Sequence, residues 1–375
     1  MLPHFLAALL VLTPPADTTA DTTYYVTNRA RHLGRLERGI GDSLEFGFVV
    51  SQMVGRSGLM SGERLLERVS ARQVDSVRLT RADFLTRLHS ADSVAAASGE
   101  STVFYVHGFA TSFRRSLAQG AEIAHRGRFG GPFVVFAWPG HTGFVVFPSA
   151  HAFLSRAYRE DSTSAGKSAA SFRAALTTVL GATRPRTLTL VGHSLGAQLV
   201  TEALRGPSQL RDSLTRAPLR ALVLFAPDIA ADRFRDSLAA SMAELAARRV
   251  VYVSSSDRLL AISRFVNHTD RAGQSGGARR LGGSDVEIID VTHGRRADRN
   301  ARWLVDWHHS MRAAGSALFD FFGVVRGRPA DCRTSDGVAE RVGVRSWRLR
   351  DVPPPEHQTA CQASVPSDGT RGALN

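Results

Sequence analysis

The chain is almost without lysine. Of its 47 basic residues only Lys167 is a lysine, and every other one is an arginine. The formal net charge is +13, yet the arginines are dispersed and form no run. A nucleic-acid surface gathers basic residues and interleaves them with aromatics. That pattern is missing, so no nucleic-acid partner is expected. What the charge leaves open is weak association with an anionic membrane surface. Cysteine is nearly absent too. Cys332 and Cys361 are the only two, both late in the chain. No Cys/His grouping has zinc-ligand spacing, so no metal is expected. The two thiols could pair if the protein is exported, closing a loop worth about 3–4 kcal/mol in the chain-entropy model. No apolar stretch reaches the length of a membrane-spanning helix.

The N-terminus also lacks something. Phe5 to Leu12 is an eight-residue apolar run followed by small-residue ends at Ala16 and Ala20, but no lysine or arginine precedes it. Residues 1–20 therefore read as a weak signal peptide or an uncleaved apolar leader, and export to a periplasmic or extracellular compartment is expected. A hydrophobic fraction of 43% beside 22% charged residues is ordinary for a soluble globular protein.

Three β-prone runs come first: Tyr24-Tyr25-Val26-Thr27-Asn28, residues 45–53 and residues 72–80. Residues 54–64 read as a loop and 81–97 as a helix. Strand candidates then fall at 102–107, 133–138, 186–191, 219–225, 248–254 and 286–292. Helical stretches lie between and after them, at 112–126, 163–181, 195–205, 230–247, 256–265 and 311–323. Strand runs such as Ala221-Leu222-Val223-Leu224-Phe225 are continuously apolar, which suits strands buried on both faces of a parallel sheet. The alternation predicts an α/β fold: a doubly wound, mostly parallel sheet flanked by helices, over residues 21–325. From 326 to 375 the chain turns polar and is expected to form a loosely packed, partly disordered tail.

Gly192-His193-Ser194-Leu195-Gly196 sits between the apolar run Leu188-Thr189-Leu190-Val191 and a helical stretch. Strand, sharp turn and helix are the context of a nucleophile elbow. The chain is rich in glycine, so the pentapeptide alone is weak and its setting carries the reading. A serine held there needs a base, an orienting acid and an oxyanion hole, with the acid and then the base following it in the chain. Asp257 follows the strand two beyond the serine and is the preferred acid; Asp228, one strand beyond, is the alternative. Three histidines follow the last strand, His293, His308 and His309, with His309 preferred as base. The run Phe104-Tyr105-Val106-His107-Gly108-Phe109 ends a strand in His-Gly, which predicts an oxyanion loop. Its donors are the backbone N–H groups of Phe109 and Leu195. His107 and Trp138 are expected to line the substrate pocket. Phe144-Val145-Val146-Phe147 is a candidate acyl pocket or short lid.

Together these segments resemble a bacterial α/β-hydrolase family of unknown function 900. The resemblance rests on Tyr25-Val26-Thr27-Asn28-Arg29, Val106-His107-Gly108-Phe109, Phe136-Ala137-Trp138-Pro139, the elbow itself, Ala226-Pro227-Asp228 and Ser256-Asp257-Arg258. It spans about residues 24–325. In that family the last histidine stands in a Gly-His-Ser-Tyr context. Here His309-Ser310 keeps the central pair, with His308 and Met311 on either side, and Leu195 replaces a frequent methionine. The resemblance implies a serine hydrolase and no particular substrate. A carboxylic (acyl or lipid-like) ester is the expected small-molecule substrate, with no cofactor. Acyl transfer from the same site and a catalytically silent binding protein are the alternatives.

Overall fold

The computed structural model describes residues 20–56, 68–141, 151–274, 285–293 and 315–350, together with Gly276 and Cys361. The leader, His308, His309 and Phe144–Phe147 lie outside the described residues.

The sheet begins with a three-stranded antiparallel ribbon: β1 (Ala20–His32), β2 (Arg35–Arg56) and β3 (Arg68–Leu79). Six parallel strands follow: β4 (Thr102–Val106), β5 (Phe133–Phe136), β6 (Leu188–His193), β7 (Leu219–Phe225), β8 (Ala246–Val253) and β9 (Glu287–Asp290). A hairpin of β10 (Ala339–Gly343) and β11 (Ser346–Leu349) closes the far edge. Among the described residues the order is β10-β11-β9-β8-β7-β6-β4-β5-β1-β2-β3. β1 runs parallel to β5, so the ribbon enters beside the parallel strands and extends outward from them.

Helices cover both faces because the strands alternate. Phe104 and Val106 of β4 face one core, with Val134 and Phe136 of β5 and Leu190 of β6. Val103 and Tyr105, Phe133 and Val135, and Val191 face the other. Apolar residues on both faces make the runs continuous in sequence. The first core is roofed by α1 (Arg81–Ala97), α3 (His151–Lys167), α4 (Ala169–Ala182), α5 (Leu195–Leu204) and α6 (Gln209–Arg216). The second is covered by α2 (Phe113–Arg126) and α10 (Gly315–Val325). Phe172 of α4 is wholly buried and stacks on Phe104 with centroids 5.5 Å apart. Burying such a ring contributes about 1.5–3 kcal/mol. The helix starts have local causes: Thr80 caps α1 by accepting from Asp83, and Ser112 caps α2 by accepting from Arg115.

Three expectations change. The single helix expected over 163–181 is two, α3 and α4, parted at Ser168, whose buried Oγ accepts from Asn28 Nδ2 at 3.0 Å. The stretch 230–247 is not one helix. It holds α7 (Ala231–Arg233), a π-type turn over Phe234–Leu238 and α8 (Ala239–Ser241), and β8 begins at Ala246. The boundary at 325 does not hold either. After it come α11 (Cys332–Ser335) and the β10–β11 hairpin, with β11 paired parallel to β9. Trp347 and Leu349 belong to the second core. The tail's polar character hid these few apolar residues. Arg333, 4% exposed, is neutralised by Asp320 and Glu287 at 2.7 and 2.5 Å, which lets a basic segment pack inside. A Cys332–Cys361 disulfide ties this unit to the chain beyond it. No helix among the described residues is long and apolar enough to cross a membrane.

Candidate active site

Ser194 stands at the C-terminal end of β6, where the chain turns into α5. Its φ of 55° and ψ of −120° place a non-glycine residue in the left-handed half of the map. That conformation costs on the order of 1–3 kcal/mol and persists only where its surroundings hold it. Here they do. The Ser194 amide donates to Phe225 O at 2.9 Å, and its carbonyl accepts from Ala197 and Asp228 at 3.0 and 3.3 Å. The flanking glycines are required by close approach. A Cβ on Gly196 would lie 2.4 Å from the carbonyl oxygens of both Val106 and His107, and one on Gly192 would lie 2.7 Å from Ala197 Cα. The elbow is therefore seated directly on the end of β4.

The loop leaving β4 reaches the serine. A Cβ on Gly108 would meet Ser194 Cβ at 2.8 Å, so Gly108 passes against the serine side chain. Leu195 is buried as the first residue of α5, where helical amides have no partner within the helix. Phe109, half-buried, sets its ring against Tyr158 with centroids 5.9 Å apart. The loop that carries Phe109 thus meets Ser194 through Gly108, and Leu195 follows Ser194 as the start of α5.

His107 and Trp138 take a different place from the one expected. Both are fully buried, and their rings stack 5.0 Å apart at an interplanar angle of 7°. Trp138 Nε1 donates to His107 O at 2.8 Å. His107 Nδ1 lies 2.9 Å from Gly108 O, the carbonyl of the peptide whose other end is Phe109 N–H. Its Nε2 lies 3.2 Å from Trp138 O. With no exposed surface among the described residues, the pair underpins the loop after β4 from within the core. Burial, reinforced by the nearby Arg29 charge, pulls the His107 imidazole down to about 3, so it is neutral at ordinary pH.

The two candidate acids separate clearly. Asp228, 3% exposed, accepts from Arg271 Nε and from Ser263 Oγ, both at 2.6 Å. Its charge is committed to a buried ion pair. The Tyr158 hydroxyl joins this group through Ser263 at 2.9 Å, and burial, then the Asp228 charge, push that hydroxyl well above its ordinary range. Asp257 is completely buried in the turn after β8 and caps α9 (Arg258–Asn267), Oδ1 accepting from Leu260 N at 2.9 Å. The turn before it is stitched to the end of β9, since Ser255 N donates to Thr292 Oγ1 at 2.9 Å and Val291 N to Val253 O at 2.9 Å. The segment that ends at His293 is thus joined to the turn two residues before Asp257. His293 is exposed at the end of that segment.

Three residues beside the site were assigned no chemistry by the sequence, although Arg29 carries part of the family resemblance. Arg29, 2% exposed, donates from Nη2 to Thr111 O at 2.9 Å. Asp161 bonds to His141 and to the loop after β4. Arg29 lies in the Tyr25–Arg29 segment, where buried Thr27 and Asn28 also reach across to Ala137 O and Ser168. That polar run directly after Tyr24-Tyr25-Val26 was the available signal; Asp161 and His141 had none.

A strained serine between β6 and α5, seated on the loop from β4 in a mainly parallel sheet, is the α/β-hydrolase arrangement. A family described as alpha/beta hydrolase of unknown function (DUF900) matches residues 85–298. The chain belongs to that family. No curated protein matches it. Among solved structures it is similar to a sugar hydrolase (YeeB) from Lactococcus lactis, at 11% identity over 60% of this chain and 90% of that one, with a TM-score of 0.31. It is also similar to an esterase of Pyrobaculum calidifontis, at 11% identity over 66% and 93%, with a TM-score of 0.32. Among the described residues no group of three or more His, Cys, Asp or Glu side chains could hold a metal ion.

Proposed function

We propose that this chain is a serine hydrolase of carboxylic esters. The observation that carries the reading is Ser194 at φ 55°, with Gly108 pressed against its side chain. Strain of this kind is retained where a side chain must be presented to a reaction. In the proposed cycle Ser194 Oγ attacks the ester carbonyl carbon while His309 takes its proton. Asp257 orients His309. The carbonyl oxygen becomes an oxyanion that accepts from Phe109 and Leu195 N–H. Collapse breaks the acyl–oxygen bond, and the leaving alkoxide receives the proton from His309. Water, deprotonated by His309, then releases the acid and restores Ser194. Each oxyanion donor contributes about 3–4 kcal/mol to the transition state. Asp257 suits the orienting role better than Asp228 because Arg271 already neutralises Asp228.

Catalysis by this site needs no cofactor. The Cys332–Cys361 bridge fits an oxidising compartment and so supports export. A fluorophosphonate probe should label the wild type at Ser194 and leave Ser194→Ala unlabelled, and His309→Ala should lose ester turnover. Equal labelling of wild type and Ser194→Ala rules the reading out.

A further inference from the structure

Asp161 lies on α3, outside every motif, and is 1% exposed. Its Oδ2 accepts the amide of Ala110 at 2.9 Å, and its Oδ1 accepts the amide of His141 at 2.9 Å. Oδ1 also faces His141 Nδ1 at 2.5 Å, while His141 Nε2 faces Glu160 at 2.9 Å. One carboxylate thus joins the loop after β4 to the loop after β5. A residue further on, Thr111 O accepts from buried Arg29. Residues 110 and 111 are therefore held between a buried anion, which takes an N–H, and a buried cation, which donates to a C=O.

The held segment needs holding. Ala110 has φ 51°, a left-handed conformation without glycine. Thr111 Oγ1 donates to the Phe109 carbonyl at 3.0 Å. α3 in turn is tied to the helix that follows the nucleophile, because Ser162 Oγ donates to Gln198 Oε1 at 3.2 Å. Ser164 Oγ donates to Pro139 O at 2.6 Å, fixing the β5 loop from the same helix. Burying a carboxylate is costly, and an apolar residue would pack there more cheaply. What the charge provides is short, directional acceptance of N–H donors.

We propose that Asp161 is a positioning residue of the oxyanion hole. It fixes the Phe109–Ala110 peptide, and through it the preceding N–H of Phe109 stays aimed at the oxygen of an ester seated on Ser194. The proposal rests on the serine-hydrolase reading above. Glu160 and His141 brace the carboxylate from the other side.

The test compares wild type, Asp161→Ala and Asp161→Asn with a short-chain p-nitrophenyl ester. Fluorophosphonate titration counts active serines, and an alkyl boronic acid serves as tetrahedral mimic. In Asp161→Ala, kcat per titrated serine falls on the order of tenfold to a hundredfold, the size of a small misalignment of a catalytic group. KM stays within about twofold, and boronate binding weakens by a like factor, because the interaction is made in the transition state. Asp161→Asn falls between, since its amide oxygen still accepts from Ala110. A general loss of structure lowers the count of titrated serines and leaves kcat per serine unchanged. That result, in either folded variant, overturns the proposal, as does a boronate affinity that does not follow kcat. If Asp161→Ala does not fold, Asp161→Asn decides by the same criterion. A wild type that is not labelled at Ser194 fails the parent reading instead; labelled wild type with variants of equal kcat fails the clamp alone.

Discussion

The Asp228–Arg271 pair makes a quantitative demand. Both side chains are nearly sealed, at 3% and 7% exposure. Arg271 Nε donates to Asp228 Oδ1 at 2.6 Å and Nη2 to Asp228 O at 2.9 Å. The pair fastens two segments behind Ser194. Ala231 N donates to Asp270 O and Ala272 N to Ile229 O, both at 2.8 Å, and Asp228 N donates to Ser194 O. Arg271→Met leaves the Asp228 carboxylate buried without its cation, with the Ser263 hydroxyl still donating to it. Removing one member of a buried pair costs about 3–5 kcal/mol, a large share of the roughly 5–15 kcal/mol that holds a domain folded. Asp228→Asn leaves a buried guanidinium and costs a similar amount. The double variant Asp228→Asn/Arg271→Met buries no charge, and its main loss is the bond to Asp228 O, about 1 kcal/mol. The double variant is therefore expected to be more stable than either single one. Urea unfolding, with unchanged dependence on denaturant, measures all four proteins. If the double variant loses the sum of the two single losses, the pair is not coupled and the reasoning is wrong.

Three further outcomes follow from the same structure. Gly196→Ala forces a Cβ against two fixed carbonyls at 2.4 Å and should lose fluorophosphonate labelling and thermal stability together, whereas Gly166→Ala in α3, with nothing within 4 Å, should gain about 0.5–1 kcal/mol. Because His107 sits at about 3 in the fold and near 6.5 when unfolded, the unfolded chain alone binds its proton between those values, so stability falls as pH is lowered through that window. The contribution is about 1.4 kcal/mol per pH unit; His107→Gln should flatten the slope measured from pH 6.5 to 4, and an unchanged slope refutes a neutral buried imidazole. Opening the Cys332–Cys361 bridge, across a separation of 29 residues, should cost about 3–4 kcal/mol, read as a drop in unfolding midpoint with reductant that Cys332→Ser/Cys361→Ser does not share.

Much of the frame around Ser194 was legible because it depends on local chain geometry. A strand running into Gly-His-Ser-Leu-Gly and then a helix cannot avoid a tight turn, and the turn fixes where Ser194 stands. The run ending at His107 and Gly108 is local in the same sense. The helix break at Ser168 was not legible, because its partner Asn28 lies 140 residues away. The packing of Trp347 was hidden for a like reason: its segment is basic, and the carboxylates that neutralise Arg333 come from Asp320 and Glu287.

The sequence by itself determined the class of fold, the strand and helix alternation, the tight turn at Ser194 and the family to which the chain belongs. Those follow from periodicity and from residues a few positions apart. Only the tertiary structure decided that Asp228 is spent on Arg271, that His107 and Trp138 support a loop from beneath, and that Asp161 grips that loop. Each of these depends on charges and rings that meet across different strands and helices. Burial then sets their roles, by making an unpaired charge costly and a paired one fixed in place.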